Sequence, residues 1–166
     1  MKNNIKIYDL DRGMTDFEPK AIALGNFDGI HIGHQKLIKK DLEIARQLNL
    51  VPSVLLFKEN SKKTLHDEKD YLTSLDDKIE ILANMGMDTF CILDFNEEFR
   101  SLSPKEFISQ ILYRKLNTKY IVIGEDYHFG KNAEGDIKTL ARFEDEFDYE
   151  TLIIDFELVN GEKISS

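Results

Sequence analysis

Apolar residues along this chain fall into short continuous runs, separated by longer stretches in which they return every three or four positions. The runs predict strands buried on both faces, and the spaced stretches predict amphipathic helices. Ala21–Asn26 (AIALGN) predicts the first strand, ending around Gly25. Gly33–Leu48 predicts a helix with Leu37, Ile38, Leu42, Ala45 and Leu48 on one stripe. Pro52–Phe57 (PSVLLF) predicts the next strand, and Leu75–Met85 a helix capped by Thr73 or Ser74 and closed at Gly86. Thr89–Asp94 (TFCILD) predicts a third strand. Ser103-Pro104-Lys105-Glu106 then puts Ser at an N-cap, Pro at the first helical position and Glu at the third, a capping box. Strand Lys119–Gly124 (KYIVIG), helix Asp136–Phe147 and strand Glu150–Leu158 complete the pattern, with a tight turn expected at Asn160-Gly161.

Strand and helix alternating in this way predict an α/β fold, a Rossmann-like parallel sheet with helices on both faces. Such sheets bind ligands outside the carboxyl ends of their strands. Chemistry is therefore expected in the loops after Gly25, Phe57, Asp94 and Gly124. The polar stretch Lys58–Tyr71 is long for a strand-to-helix connection and predicts either a lid or a small insertion.

The length of 166 residues fits one domain with a real core. Lys and Arg number 22 against 31 Asp and Glu, a net charge of −9 that argues against general nucleic-acid binding. A small anionic substrate stays possible, because local amides and His can bind phosphate on an acidic protein. Cys91 is the one cysteine, so neither an intrachain disulfide nor a cysteine-based zinc site can form. No run approaches the ~20 apolar residues of a membrane helix, and the charged start lacks a signal-peptide pattern. The expectation is a cytoplasmic protein without a membrane partner.

The richest segment is Gly25–His34, GNFDGIHIGH, at a strand-to-helix junction. Its glycines let the backbone turn and approach a ligand closely, and the free N–H groups at a helix start attract an anion. His31 and His34 share one side of the first helical turn, where they could donate to phosphate oxygens that gain charge in a transition state. Each residue also has a plainer reading. Glycines make turns, Asp28 can form one, and a His near a helix start is commonly a surface residue. As a metal pair the two His would need a third ligand, and none is visible nearby. The concentration of all these residues in one junction favours the phosphate reading.

These residues match a family pattern. Gly25–His34 resembles the G-x-F-D-x-x-H-x-G-H motif of the HxGH nucleotidylyl transferases. The longer string GNFDGIHIGHQKLI resembles the adenylyltransferase module of bacterial FAD synthetase, the bifunctional riboflavin kinase/FMN adenylyltransferase. LTSLDDKIEILANMGMD and FNEEFRSLSPKEFISQIL are similar to later segments of that family. IVIGEDYHFGKNAEGD (Ile121–Asp136) resembles a second family motif, V-G-x-D-F-x-F-G-x-x-x-x-G-D.

The resemblance implies adenylyl transfer from ATP to FMN, giving FAD and pyrophosphate, with Mg²⁺ arriving on ATP and no dedicated metal site. It implies that His31 and His34 bind the ATP phosphates and that His34 stabilises the transition state. Its partner is then expected to be phosphate rather than the core. Asn26, Phe27 and Asp28 would shape the ATP pocket, while Gly25 and Gly33 would keep the backbone clear of it. Gly124, Asp126, Phe129 and Gly130 would line the flavin and nucleotide region, joined by Ser165 and Ser166. His128 and His66 receive no role.

Two departures stand out. Lys58-Glu59-Asn60-Ser61 occupies the place where the family usually continues with Pro-His-Pro, on the flavin side. Ile164-Ser165-Ser166 matches the start of an I-S-S-T-x-I-R motif whose Thr and Arg fall beyond the last residue, as does the riboflavin kinase domain. Residues 1–166 are thus expected to be an adenylyltransferase domain shortened at its C-terminal end. Two other functions compete: an HxGH transferase with a different phosphorylated acceptor, and a flavin- or nucleotide-binding module without turnover.

Overall fold

The structure is a computed structural model that describes residues 4–27, 32–58, 74–125 and 127–155. Among these residues six strands form one sheet: β1 (Lys6–Asp9), β2 (Lys20–Leu24), β3 (Val51–Phe57), β4 (Thr89–Leu93), β5 (Thr118–Gly124) and β6 (Glu150–Ile154). Their order is β1-β4-β3-β2-β5-β6, and every neighbouring pair is parallel. The expected Rossmann-like architecture is present, with one strand more than the sequence predicted.

Alternation along each inner strand sorts its side chains between two cores. Ile22 and Leu24 of β2, Leu55 of β3, Cys91 and Leu93 of β4 and Ile121 and Ile123 of β5 point to one face. Ala21, Ala23, Val54, Leu56, Phe90, Ile92 and Val122 point to the other. Burial on both faces is why these strands read as continuous apolar runs. Each fully buried Leu or Ile stabilises the fold by about 1.5–3 kcal/mol.

Helix α1 (Ile32–Leu48) covers the second face through Leu37, Ile38 and Ala45, joined by Leu82 and Ala83 of α2 (Leu75–Asn84). Ser74, not Thr73, is the α2 N-cap, its hydroxyl accepting the Asp77 N–H at 3.1 Å. The helix closes at Gly86, whose φ of +112° suits a residue without a Cβ. On α1 the expected stripe needs correcting: Leu48 is 52% exposed, while Asp41 is fully buried.

The first face is covered by the segment after β4. A single turn, α3 (Glu97–Arg100), is capped by Asn96 and precedes α4 (Pro104–Glu106). The capping box forms as expected: Ser103 Oγ accepts the Glu106 N–H at 3.1 Å, and Glu106 Oε1 accepts the Ser103 N–H at 2.8 Å. The helix then runs on as a π-helix, Phe107–Lys115, burying Phe107, Ile108, Ile111 and Leu112. The helix expected over Asp136–Phe147 is two pieces, α5 (Ile137–Arg142) and α6 (Glu144–Phe147), with Asp136 as N-cap.

Candidate active site

The chain runs from β2 outward to β3 and β4, then returns across the sheet to lay β5 on the other side of β2. The strand order therefore reverses between β2 and β5. A sheet of this class opens a crevice at such a point, outside the carboxyl ends of the two strands. The Gly25–His34 motif follows β2 and runs into the first turn of α1, and the Ile121–Asp136 motif runs from within β5 into the segment after it. The two candidate motifs thus leave neighbouring parallel strands at the same end of the sheet.

The first loop is shaped by Phe27. Its φ is +58°, a left-handed conformation that a bulky residue adopts at a cost of about 1–3 kcal/mol. Its ring is fully buried and folds back over Gly25, where a Cβ would come within 3.2 Å of it. Phe27 thus packs against Gly25 with its ring buried in the core. Asn26 is exposed, and its carbonyl accepts a hydrogen bond from Lys78 Nζ of α2 at 3.1 Å.

His34 lies in the first turn of α1, 5.0 Å from the Phe27 ring between centroids, and is 1% exposed. The expectation that its partner is phosphate rather than the core is corrected in part: the ring is packed against the core through Phe27. The first turn of α1 carries no acidic residue, so no carboxylate there opposes an anion drawn to the helix start. Gly33 is buried beside it. Asp28 and His31 lie outside the described residues, as do Asp126, Ser165 and Ser166.

In the second loop Gly124 ends β5 opposite Ile154, and its carbonyl accepts the Tyr127 N–H at 3.2 Å. Phe129 and Gly135 pair across the loop, with N–H to carbonyl distances of 3.1 and 2.7 Å. The Phe129 ring is buried, 5.3 Å from Phe107 and 6.4 Å from Tyr127. Gly130, at φ +80°, presses on Pro104, which a Cβ would meet at 2.9 Å. Phe129 and Gly130 therefore fix the loop onto the first face. Burial pushes the Tyr127 phenol up to about 12, so it stays a hydrogen-bond donor at neutral pH.

Sequence reasoning missed the aromatic patch beside this crevice. Phe57 at the end of β3 meets Phe95 at 5.3 Å and Phe99 at 5.2 Å, and Phe95 meets Phe99 at 5.6 Å. Phe99 contacts Phe107 at 5.8 Å, which continues the array toward Phe129. Phe95 is 45% exposed and carries the Arg100 guanidinium 5.6 Å from its ring centre. The spacing of these phenylalanines in FNEEF gave the only signal.

A cavity of about 430 Å³ lies at the other end of the sheet, among Lys119, Glu144, Asp145, Asp148 and Glu150. Its one cation is 3.4 Å from Asp148, and the excess of carboxylates repels a polyphosphate. Among the described residues no three His, Cys, Asp or Glu are grouped to hold a metal ion, and no helix is long and apolar enough to cross a membrane.

Comparison with known proteins agrees with the two motifs. The family model for FAD synthetase matches residues 14–166. A bifunctional riboflavin kinase/FMN adenylyltransferase of Listeria monocytogenes is 38% identical over 150 residues, covering 89% of this chain and 47% of that protein. The enzyme of that name from Bacillus subtilis is 39% identical over 123 residues, 72% of this chain and 39% of the relative. A solved structure named as a macrolide-efflux protein from Streptococcus pneumoniae superposes with a TM-score of 0.79 at 27% identity, over 98% of this chain and 54% of its own. The chain spans about half the length of the curated relatives it matches. With both motifs at the switch point and the match running through them, the chain belongs to the FAD synthetase family.

Proposed function

We propose that this chain transfers the adenylyl group of ATP to the phosphate of FMN, giving FAD and pyrophosphate. A phosphate oxygen of FMN bonds to the α-phosphorus of ATP. The bond from that phosphorus to the oxygen bridging the β-phosphate breaks, and its electron pair leaves with pyrophosphate. Catalysis of this kind rests on positioning and on donors aimed at the developing charge. The observation that carries the reading is the placement of both family motifs at the carboxyl ends of β2 and β5, on either side of the switch point.

In this reading the start of α1, with His34 and His31, holds the ATP phosphates, and His34 donates to the oxygens that gain charge. Its packing on Phe27 orients the imidazole in advance, which spares that cost at the moment of reaction. Gly25, Asn26, Asp28 and Gly33 shape the nucleotide pocket. Gly124, Asp126 and Gly130 line its far wall with Ser165 and Ser166, while Phe129 supports that wall from beneath. The patch of Phe57, Phe95 and Phe99 suits a planar aromatic acceptor such as the flavin ring. Mg²⁺ would arrive on the nucleotide's own phosphates. A substrate such as ATP places the reaction in the cytoplasm. We assign residues 1–166 to the adenylyltransferase activity and riboflavin kinase activity to the remaining length of the relatives.

A product assay tests this. The chain is mixed with Mg-ATP and either FMN or riboflavin, and FAD is followed by chromatography. FAD from FMN alone is the expected result. A folded chain that forms no FAD from FMN, while releasing pyrophosphate with another phosphorylated acceptor, overturns the choice of acceptor.

A further inference from the structure

The carboxyl ends of β1, β3 and β4 are joined by a charged network. Lys58, the residue after β3, places Nζ 2.9 Å from Asp9 Oδ1 and 3.0 Å from Asp11 Oδ2. The same Asp11 oxygen accepts the Asp94 N–H at 2.8 Å. The Lys58 N–H donates to the Leu93 carbonyl at 2.9 Å, and Asp9 Oδ1 accepts the Asp11 N–H at 3.1 Å. The Lys58 and Asp9 side chains are 30% and 16% exposed, so the pair is screened less than one in open solvent. The hydrogen bonds to Asp9 and then Asp11 hold the Lys58 ammonium above its usual range, so it stays charged.

These bonds fall on the neighbours of two rings of the aromatic patch, Phe57, which is half-buried, and Phe95, which is exposed. Lys58 follows Phe57, and Asp94 precedes Phe95. Gripping Lys58 and Asp94 fixes the backbone that carries both phenylalanines, and with it the 5.3 Å edge contact between them. A role for Lys58 as a phosphate ligand is disfavoured, since two carboxylates already outweigh its one ammonium. Asp9 and Asp11 precede the family-matched segment 14–166, so the network is supplied partly from outside it.

We propose that Lys58, Asp9 and Asp11 form a clamp that positions the Phe57 and Phe95 rings as the face receiving a planar aromatic acceptor. The inference rests on the FMN reading above, and the Lys58 ammonium acts as a positioning group rather than a catalytic one. Rigid placement of a remote support alters the affinity for one ligand while leaving another untouched.

The test is a titration of the full chain with FMN, read by flavin fluorescence, beside a titration with a non-hydrolysable ATP analogue. Lys58→Met is expected to raise the Kd for FMN roughly 3- to 10-fold, leave that for the ATP analogue unchanged, and be rescued by Lys58→Arg. Asp11→Asn should act in the same direction, and it is the variant read if Lys58→Met does not fold. Unchanged FMN affinity in both variants, or equal loss for both ligands, overturns the clamp while the acceptor reading stands. A wild-type chain that binds the ATP analogue but not FMN overturns the acceptor reading, and the inference with it.

Discussion

Asp41 occupies a core position on α1, in the row of Leu37, Ile38 and Ala45, and is fully buried. Among the described residues neither carboxyl oxygen has a well-formed hydrogen bond, and the Ser53 amide is the carboxyl's one polar neighbour of note. The Ser53 amide faces it, while the Ser53 hydroxyl is turned to the Val51 carbonyl at 3.2 Å. Burial raises the Asp41 pKa well above the usual carboxylate range, and the Ser53 amide offsets only part of that. Replacing Asp41 with Leu, similar in size and apolar like its neighbours, should therefore stabilise the protein. An unsatisfied buried polar group costs about 1–3 kcal/mol, and each kcal/mol moves Tm by about 2–4 °C for a chain of this size. The effect has a definite pH dependence. Below about pH 4 the carboxyl is protonated in both folded and unfolded chains. Above that the unfolded chain ionises while the folded one retains its proton, so wild-type stability falls by about 1.4 kcal/mol per pH unit until the raised folded pKa is passed. Asp41→Leu lacks this fall. Melts followed by far-UV circular dichroism from pH 4 to 8 should show the variant's advantage growing with pH. An advantage independent of pH, or a lower Tm for the variant at pH 7, would refute the reasoning.

Three further outcomes are expected. His34→Ala should lower kcat about 10²–10³-fold, as for loss of one preorganised donor, with pyrophosphate release as the assay; a near wild-type rate removes the role assigned to His34. Gly135→Ala places a Cβ 2.5 Å from Phe129 Cε2, and overpacking of this kind costs about 1–3 kcal/mol; an unaltered Tm would show that the ring yields freely. Cys91 is fully buried, and that burial pushes its thiol up to about 12. Iodoacetamide at pH 8 should therefore modify it in urea and leave it intact in the folded chain, as mass spectrometry will read.

The inner strands were legible because both of their faces are buried, which writes an unbroken apolar run into β2, β3, β4 and β5. β1 was not, because its residues Lys6–Asp9 are half exposed at the sheet edge and pair only with β4. A mixed sequence such as KIYD carries neither a run nor a clear alternation. Asp41 misled for a different reason. Periodicity sorts residues by polarity, so a carboxylic acid on the buried row is read as surface and the exposed Leu48 is read onto the stripe instead. The division of the last helix into α5 and α6 at Phe143 left no Pro or Gly to announce it.

The site shows the same division between local and distant information. Each motif could be read by itself, because its glycines and histidines are grouped within one strand-to-helix junction. Their meeting could not, since strand order is set by which faces pack together after collapse and not by any local pattern. Lys58 carries the point further. The sequence marked it as a departure from the family pattern on the flavin side, and gave no partner for it. Its partners, Asp9 and Asp11, stand in the segment whose strand was also unread. Missing β1 therefore hid the clamp as well: with β1 laid against β4, two carboxylates that read as solvated charge become neighbours of the ring-bearing ends of β3 and β4. An exposed edge strand adds little to the core here, and its contribution is to hold the rim at which an acceptor would lie.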